Sequence, residues 1–92
     1  MTAYIVVDLT PIDNEKMQDY SSLAGETLMK SKGEFIAKGP ITALHGNADF
    51  MNKVIIAFPD KETAQAWYMS AEYQKIIPLR DSGMDSTFHL IG

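Results

Sequence analysis

The chain has 92 residues, is 46% hydrophobic, carries a net charge of −4 and contains no cysteine, which bounds it to one small acidic domain spanning residues 1–92. Twelve acids against eight bases, with the lysines scattered, argue against nucleic acid or an anionic membrane as partner. The missing cysteines exclude disulfides, thiolate metal sites, iron–sulfur clusters and a Cys nucleophile.

So much apolar surface in so short a chain favours a self-associating protomer. The N-terminal run MTAYIVVDLT lacks a basic leader and stops at Asp8, unlike a signal peptide. No stretch approaches the roughly 18 apolar residues of a membrane span. A cytoplasmic protein is the expectation.

Tyr4 to Leu9 is short and β-branched, and reads as a strand buried on both faces. Thr10-Pro11 reads as a helix start, with Thr10 as cap and Pro11 at the first position. Met17, Tyr20, Ala24 and Leu28 then recur at helical spacing, and Leu23 and Thr27 widen the stripe. Gly25 interrupts that helix, which suggests close packing on a sheet. Gly33 is placed to end it in the left-handed capping conformation.

Glu34 to Lys38 is a short mixed strand, broken by Gly39-Pro40 and resumed over Ile41 to Leu44. His45-Gly46-Asn47 signals a turn. Val54 to Phe58 is a compact apolar strand ended by Pro59. Asp60 caps the next helix, whose stripe is Ala64, Trp67, Tyr68 and Ala71. Ser70 caps a further short helix carrying Tyr73, Ile76, Ile77 and Arg80 on one face, with a bend near Ile77 caused by Pro78. Met84 to Ile91 alternates as a last strand, with Met84, Ser86, Phe88 and Leu90 on one face.

The order βαββαβ predicts an α+β, ferredoxin-like fold: an antiparallel sheet with both helices on one face. The other face would be bare, and a second copy pressed onto it is the simplest cover. A homodimer through the open sheet face is therefore expected.

The string Phe58-Pro59, Ala66-Trp67-Tyr68, Ser70, Glu72-Tyr73-Gln74 and Leu79-Arg80 resembles the domain-of-unknown-function family 1330. Tyr4, Tyr20, Gly33 with Phe35, and Leu44 with Gly46 extend the resemblance over nearly the whole chain. The resemblance implies the dimeric α/β-barrel architecture, in which two ferredoxin-like protomers join sheet to sheet. It implies no particular activity. Wider relatives of that architecture include small cofactor-independent monooxygenases, muconolactone-isomerase-like proteins and haem-handling proteins.

Few residues carry chemistry. Trp67, Tyr68 and Tyr73 either wall an apolar ligand pocket or pack the core. Arg80, the sole arginine, either grips a ligand carboxylate or pairs with a nearby acid such as Asp81 or Asp85. His89, in the last strand, and Asp8, closing the first, are the catalytic candidates, as a general base and as an acid or base. Each has a plainer reading as a solvent-facing strand residue. His45 and His89 are far apart with no clustered carboxylates, so no metal site is expected. No phosphate loop, nucleophile elbow or zinc-binding helix motif occurs, and no cofactor is expected.

These features point to a protein binding a small apolar or acidic ligand, and to a cofactor-independent enzyme acting on an apolar or aromatic acid as its sharper form. A dimeric binding or regulatory module without chemistry is the alternative. A haem- or metal-associated protein is the third reading.

Overall fold

The computed structural model describes residues 1–92. Eight elements follow in order: β1 (Ala3–Pro11), α1 (Asn14–Lys30), β2 (Glu34–Pro40), β3 (Asn52–Phe58), α2 (Lys61–Met69), α3 (Ala71–Gln74), α4 (Ile77–Gly83) and β4 (Met84–Ile91). The strands form one antiparallel sheet in the order β2-β3-β1-β4, so each half of the chain contributes an edge and a central strand. Both helical segments cover one face. This is the ferredoxin-like α+β fold that the element order predicts. No helix is long and apolar enough to cross a membrane.

The register sorts every strand residue to a face. Ile5 pairs with Ile56 and Leu90, and Val7 with Val54 and Phe88, all on the helix side. Tyr4 pairs with Ala57 and Ile91, and Val6 with Ile55 and His89, on the open side. β1 is therefore not buried on both faces. Ala3, Ile5, Val7 and Leu9 are buried, while Tyr4, Val6, Asp8 and Thr10 alternate with them half-exposed. Consecutive β-branched residues suggest burial on both faces, but the second face has no cover within one chain. Towards one end of it Lys53 Nζ lies 3.3 Å from Asp8 Oδ1.

The first helix starts later than the Thr10-Pro11 pair suggests. β1 runs on to Pro11, which pairs with Met84 of β4. By then β3 no longer lies alongside, its last partner being Leu9, and proline is tolerated where a strand has lost a neighbour. The cap is Asp13, whose Oδ1 accepts from the Lys16 N–H at 3.1 Å. Thr10 Oγ1 accepts from the Met51 N–H instead.

Tyr20, Ala24 and Leu28 form the buried stripe of α1, with Met17 packed beside them. Leu23 is 40% exposed and does not widen it. Gly25 has open space where a side chain would be, so close packing does not account for it. Lys32, at φ 61°, takes the left-handed turn expected of Gly33. Gly33 is needed for a different reason: a Cβ there would lie 2.5 Å from Leu28 and 2.8 Å from Phe58.

β2 is irregular at Ile36, between the pairs Phe35–Ile56 and Ala37–Ile55. It ends at Pro40 and is not resumed over Ile41 to Leu44. That segment belongs to the connection to β3, tied at its base by the Ile41 N–H to Met51 carbonyl bond of 2.9 Å.

The second half follows its sequence signals more closely. Asp60 Oδ1 caps α2 through the Thr63 N–H at 2.7 Å, and Ser70 Oγ caps α3 through the Tyr73 N–H at 3.2 Å. Ala64 and Trp67 are buried and Tyr68 is half-buried, but Ala71 falls past the break at Ser70 and is exposed. The bend comes at Lys75–Ile76, and α4 restarts with proline in its first turn. Its last residue, Gly83, lies against the backbone of Met17 and Lys16, and its carbonyl accepts from both Ile12 and Asp13. The core is one cluster centred on Trp67, Tyr73 and Phe58, between the helices and the sheet.

Candidate functional site

Tyr73 stands at the centre of an aromatic cluster. Its ring centroid lies 4.3 Å from Trp67, 5.1 Å from Tyr68, 6.3 Å from Phe88 and 6.4 Å from Tyr20. These distances suit tilted and edge-on contacts. The cluster forms because α2 and α3, broken at Ser70, turn Trp67 and Tyr73 onto the same side of the sheet.

Arg80 enters this cluster from α4. Its guanidinium carbon sits 4.7 Å from the Phe88 ring centre, and its side chain is only 12% exposed. Nη1 donates to the hydroxyls of both Tyr68 and Tyr73 at 3.1 Å, and Nε donates to Asp81 Oδ1 at 3.0 Å. The Tyr73 and Tyr20 hydroxyls lie 2.7 Å apart. Every buried side-chain nitrogen and oxygen has a partner.

This environment moves the ionisations. Burial, with the neighbouring Tyr73 adding to it, pushes Tyr20 far above the usual phenol range. Burial also raises Tyr73, against the pull of the Arg80 guanidinium that donates to its oxygen. Burial draws Arg80 downward, but its bonds to Tyr68, Tyr73 and Asp81 outweigh this and leave it higher than an ordinary arginine. The cation is held charged and both phenols are held neutral.

Beside the cluster, between α1 and the helix-side face of β2 and β3, lies a cleft of ≈ 400 Å³. Twelve of its seventeen lining residues are hydrophobic. Trp67, Tyr20, Val7, Ile56 and Met84 form its buried wall, and the exposed Phe35 and Lys38 of edge strand β2 stand at its mouth. Trp67 is fixed there by its indole N–H, which donates to Thr27 Oγ1 at 2.9 Å, while Thr27 donates to the Ala24 carbonyl. Lys38 makes no ion pair.

The structure brings together Trp67, Tyr68, Tyr73 and Arg80, the four expected ligand residues. Only Trp67 reaches the cleft; Tyr73 and Arg80 stand behind Tyr20. Tyr68 and His89 meet in a second, more open groove of ≈ 500 Å³ between α2 and the strands β1 and β4. His89 is exposed and Asp8 is paired with Lys53 on the open face, so these two are not joined to the cluster. No group of three or more His, Asp or Glu side chains is placed to hold a metal ion.

Two cleft residues escaped the sequence. Tyr20 read as one more position in an apolar stripe. The signal was its hydroxyl, since a phenol on a buried stripe needs a hydrogen-bond partner. Lys38 is not among the candidates, because nothing local to it shows that β2 edges a cleft.

Solved structures share this architecture. RPA0582 from Rhodopseudomonas palustris, a protein of unknown function, superposes with a TM-score of 0.79 at 13% identity, over 98% of this chain and 80% of its own. A dimeric ferredoxin-like protein of unknown function from Jannaschia sp. CCS1 gives 0.76 at 14% identity, over 100% and 99%. SnoaB from Streptomyces nogalater, a cofactor-independent oxygenase, gives 0.72 at 10% identity, over 99% and 91%. No curated protein matches the chain in sequence. The model of the domain of unknown function DUF1330 matches residues 2–92, and the chain belongs to that family.

Proposed function

We propose that this protein binds a small apolar or aromatic acid in the cleft between α1 and the sheet. The observation that carries this reading is the cleft itself: an apolar space of ≈ 400 Å³ with one unpaired cation, Lys38, at its mouth. That volume falls within the range of small-molecule sites. The apolar body of the ligand would rest on Trp67, Val7 and Ile56, with its carboxylate toward Lys38. Tyr73 and Arg80 would act at one remove, by holding Tyr20, and Tyr68 would brace Arg80.

Calorimetric titration with 1-naphthoate and 1-methylnaphthalene tests this. Lys38→Met is expected to weaken the acid by about three- to tenfold, as for a partly exposed charge pair, and to leave the hydrocarbon unchanged. Equal affinity of the wild-type chain for both probes would remove the preference for acids.

We further infer a homodimer through the open sheet face. The half-exposed row Val6, Ile55 and Ala57 supports it, as do solved neighbours described as dimeric. A cofactor-independent reaction on the bound acid is the sharper form of the proposal, and the oxygenase among the structural neighbours motivates it. An acid recovered unaltered after long incubation with the protein in air would favour a binding module instead.

A further inference from the structure

We propose that Tyr20 is the polar anchor of the cleft, donating its hydroxyl hydrogen to an acceptor oxygen on the ligand. The assignment rests on the reading of the cleft as a ligand site and names the chemistry that the site selects: a carbonyl, carboxylate or phenolate oxygen.

A guanidinium N–H can only donate, so the Tyr73 oxygen accepts from Arg80 Nη1. Tyr73 is fully buried, and its own hydrogen needs an acceptor. The one acceptor within bonding distance is the Tyr20 oxygen, 2.7 Å away. Either sense leaves one phenol hydrogen over, and only Tyr20 opens to the cleft, so the arrangement that strands no hydrogen in the closed core has Tyr73 donating to Tyr20. Tyr68 takes another Nη1 hydrogen and forms a separate branch.

The chain now has a fixed sense: Arg80 to Tyr73 to Tyr20. It leaves one hydrogen over, that of Tyr20, and Tyr20 makes no second bond within the protein. Tyr20 is 6% exposed and lines the cleft, so the cleft is where an acceptor for that hydrogen can arrive. A cation at the head of the chain polarises each hydroxyl in turn, making the last a stronger donor than an isolated phenol. Burial keeps Tyr20 protonated well into alkaline solution, so the donor persists over the whole working pH range.

Charge at Lys38 acts on acids alone, and a neutral probe pair separates the two effects. The probes are 2-acetylnaphthalene, which carries a carbonyl acceptor, and 2-ethylnaphthalene, which has the same shape without it. The wild-type chain should bind the ketone about tenfold more tightly than the hydrocarbon. Tyr20→Phe should abolish that preference by weakening the ketone alone. Tyr73→Phe should reduce the preference in part, because it cuts Tyr20 off from the cation. In the wild-type chain, the ring-carbon resonance bearing the Tyr20 hydroxyl, observed with ¹³C-labelled tyrosine, should shift with the ketone and not with the hydrocarbon. This readout needs no variant to fold. Equal losses for both probes in Tyr20→Phe, or no shift of that resonance, would overturn the assignment and leave the cleft reading standing. Failure of the wild-type chain to bind either probe, or undiminished binding when Val54→Trp fills the cleft, would overturn the cleft reading and this assignment with it.

Discussion

Tyr20 and Tyr73 make the interior of this small domain sensitive to alkali. Burial raises both phenols, so the folded chain holds two protons that the unfolded chain releases above about pH 10. The stability they contribute is fully present below that pH and is lost as pH rises beyond it. The expected slope approaches about 1.4 kcal/mol per pH unit for each tyrosine. Urea midpoints measured from pH 8 to 11 should therefore fall steeply at the top of the range, and Tyr20→Phe should remove roughly half of the slope. A flat profile would mean that the phenols ionise as freely inside as outside. The aromatic identities behind this were visible in the sequence, because Tyr20 and Tyr73 fall on helical stripes. Their pairing across 53 positions was not, since it depends on how α1 and α3 meet over the sheet.

The elements whose ends are marked by local chemistry were the legible ones. Asp60 and Ser70 bond amides three residues on, and an interaction of that range can be read from the chain alone. β4 was legible because its two faces differ. Where a tertiary neighbour decides, the local signal misled: Pro11 joins β1 because β4 lies beside it, and Gly33 is small because Phe58 approaches it. The glycines test this distinction. Gly25→Ala, in a helix with open space at that point, should stabilise the fold by about 0.5–1 kcal/mol. Gly33→Ala, against Leu28 and Phe58, should destabilise it by about 1–3 kcal/mol. Denaturant unfolding of the two variants should move the midpoint in opposite directions. Movement in the same direction would show that the open space at Gly25 is filled in the assembled protein.

At the scale of the molecule, the chain is a slab of 32 × 30 × 16 Å, helices on one side and a bare sheet on the other. Its accessible surface is 6047 Å². A monomer of 10.2 kDa is expected to expose about 5,300 Å². The excess is of the order of one partner's share of a standard interface, about 800 Å². Sedimentation equilibrium should give twice the chain mass, and Ile55→Glu, placing charge in the middle of the open face, should give the single-chain mass. A single-chain mass for the wild type at micromolar concentration would end the dimer proposal. The fold was legible at this scale because element order and handedness leave few alternatives. The cleft was not, because its walls come from residues 7 to 88 and its mouth from the irregular edge strand. In β3, Val54 and Ile56 line the cleft, while Ile55 and Ala57 lie on the opposite face. If the cleft holds a ligand and the open face a second copy, as proposed, four consecutive residues answer to two different selections by parity, and a change at Ile55 or Ala57 can alter the partner contact without touching the cleft.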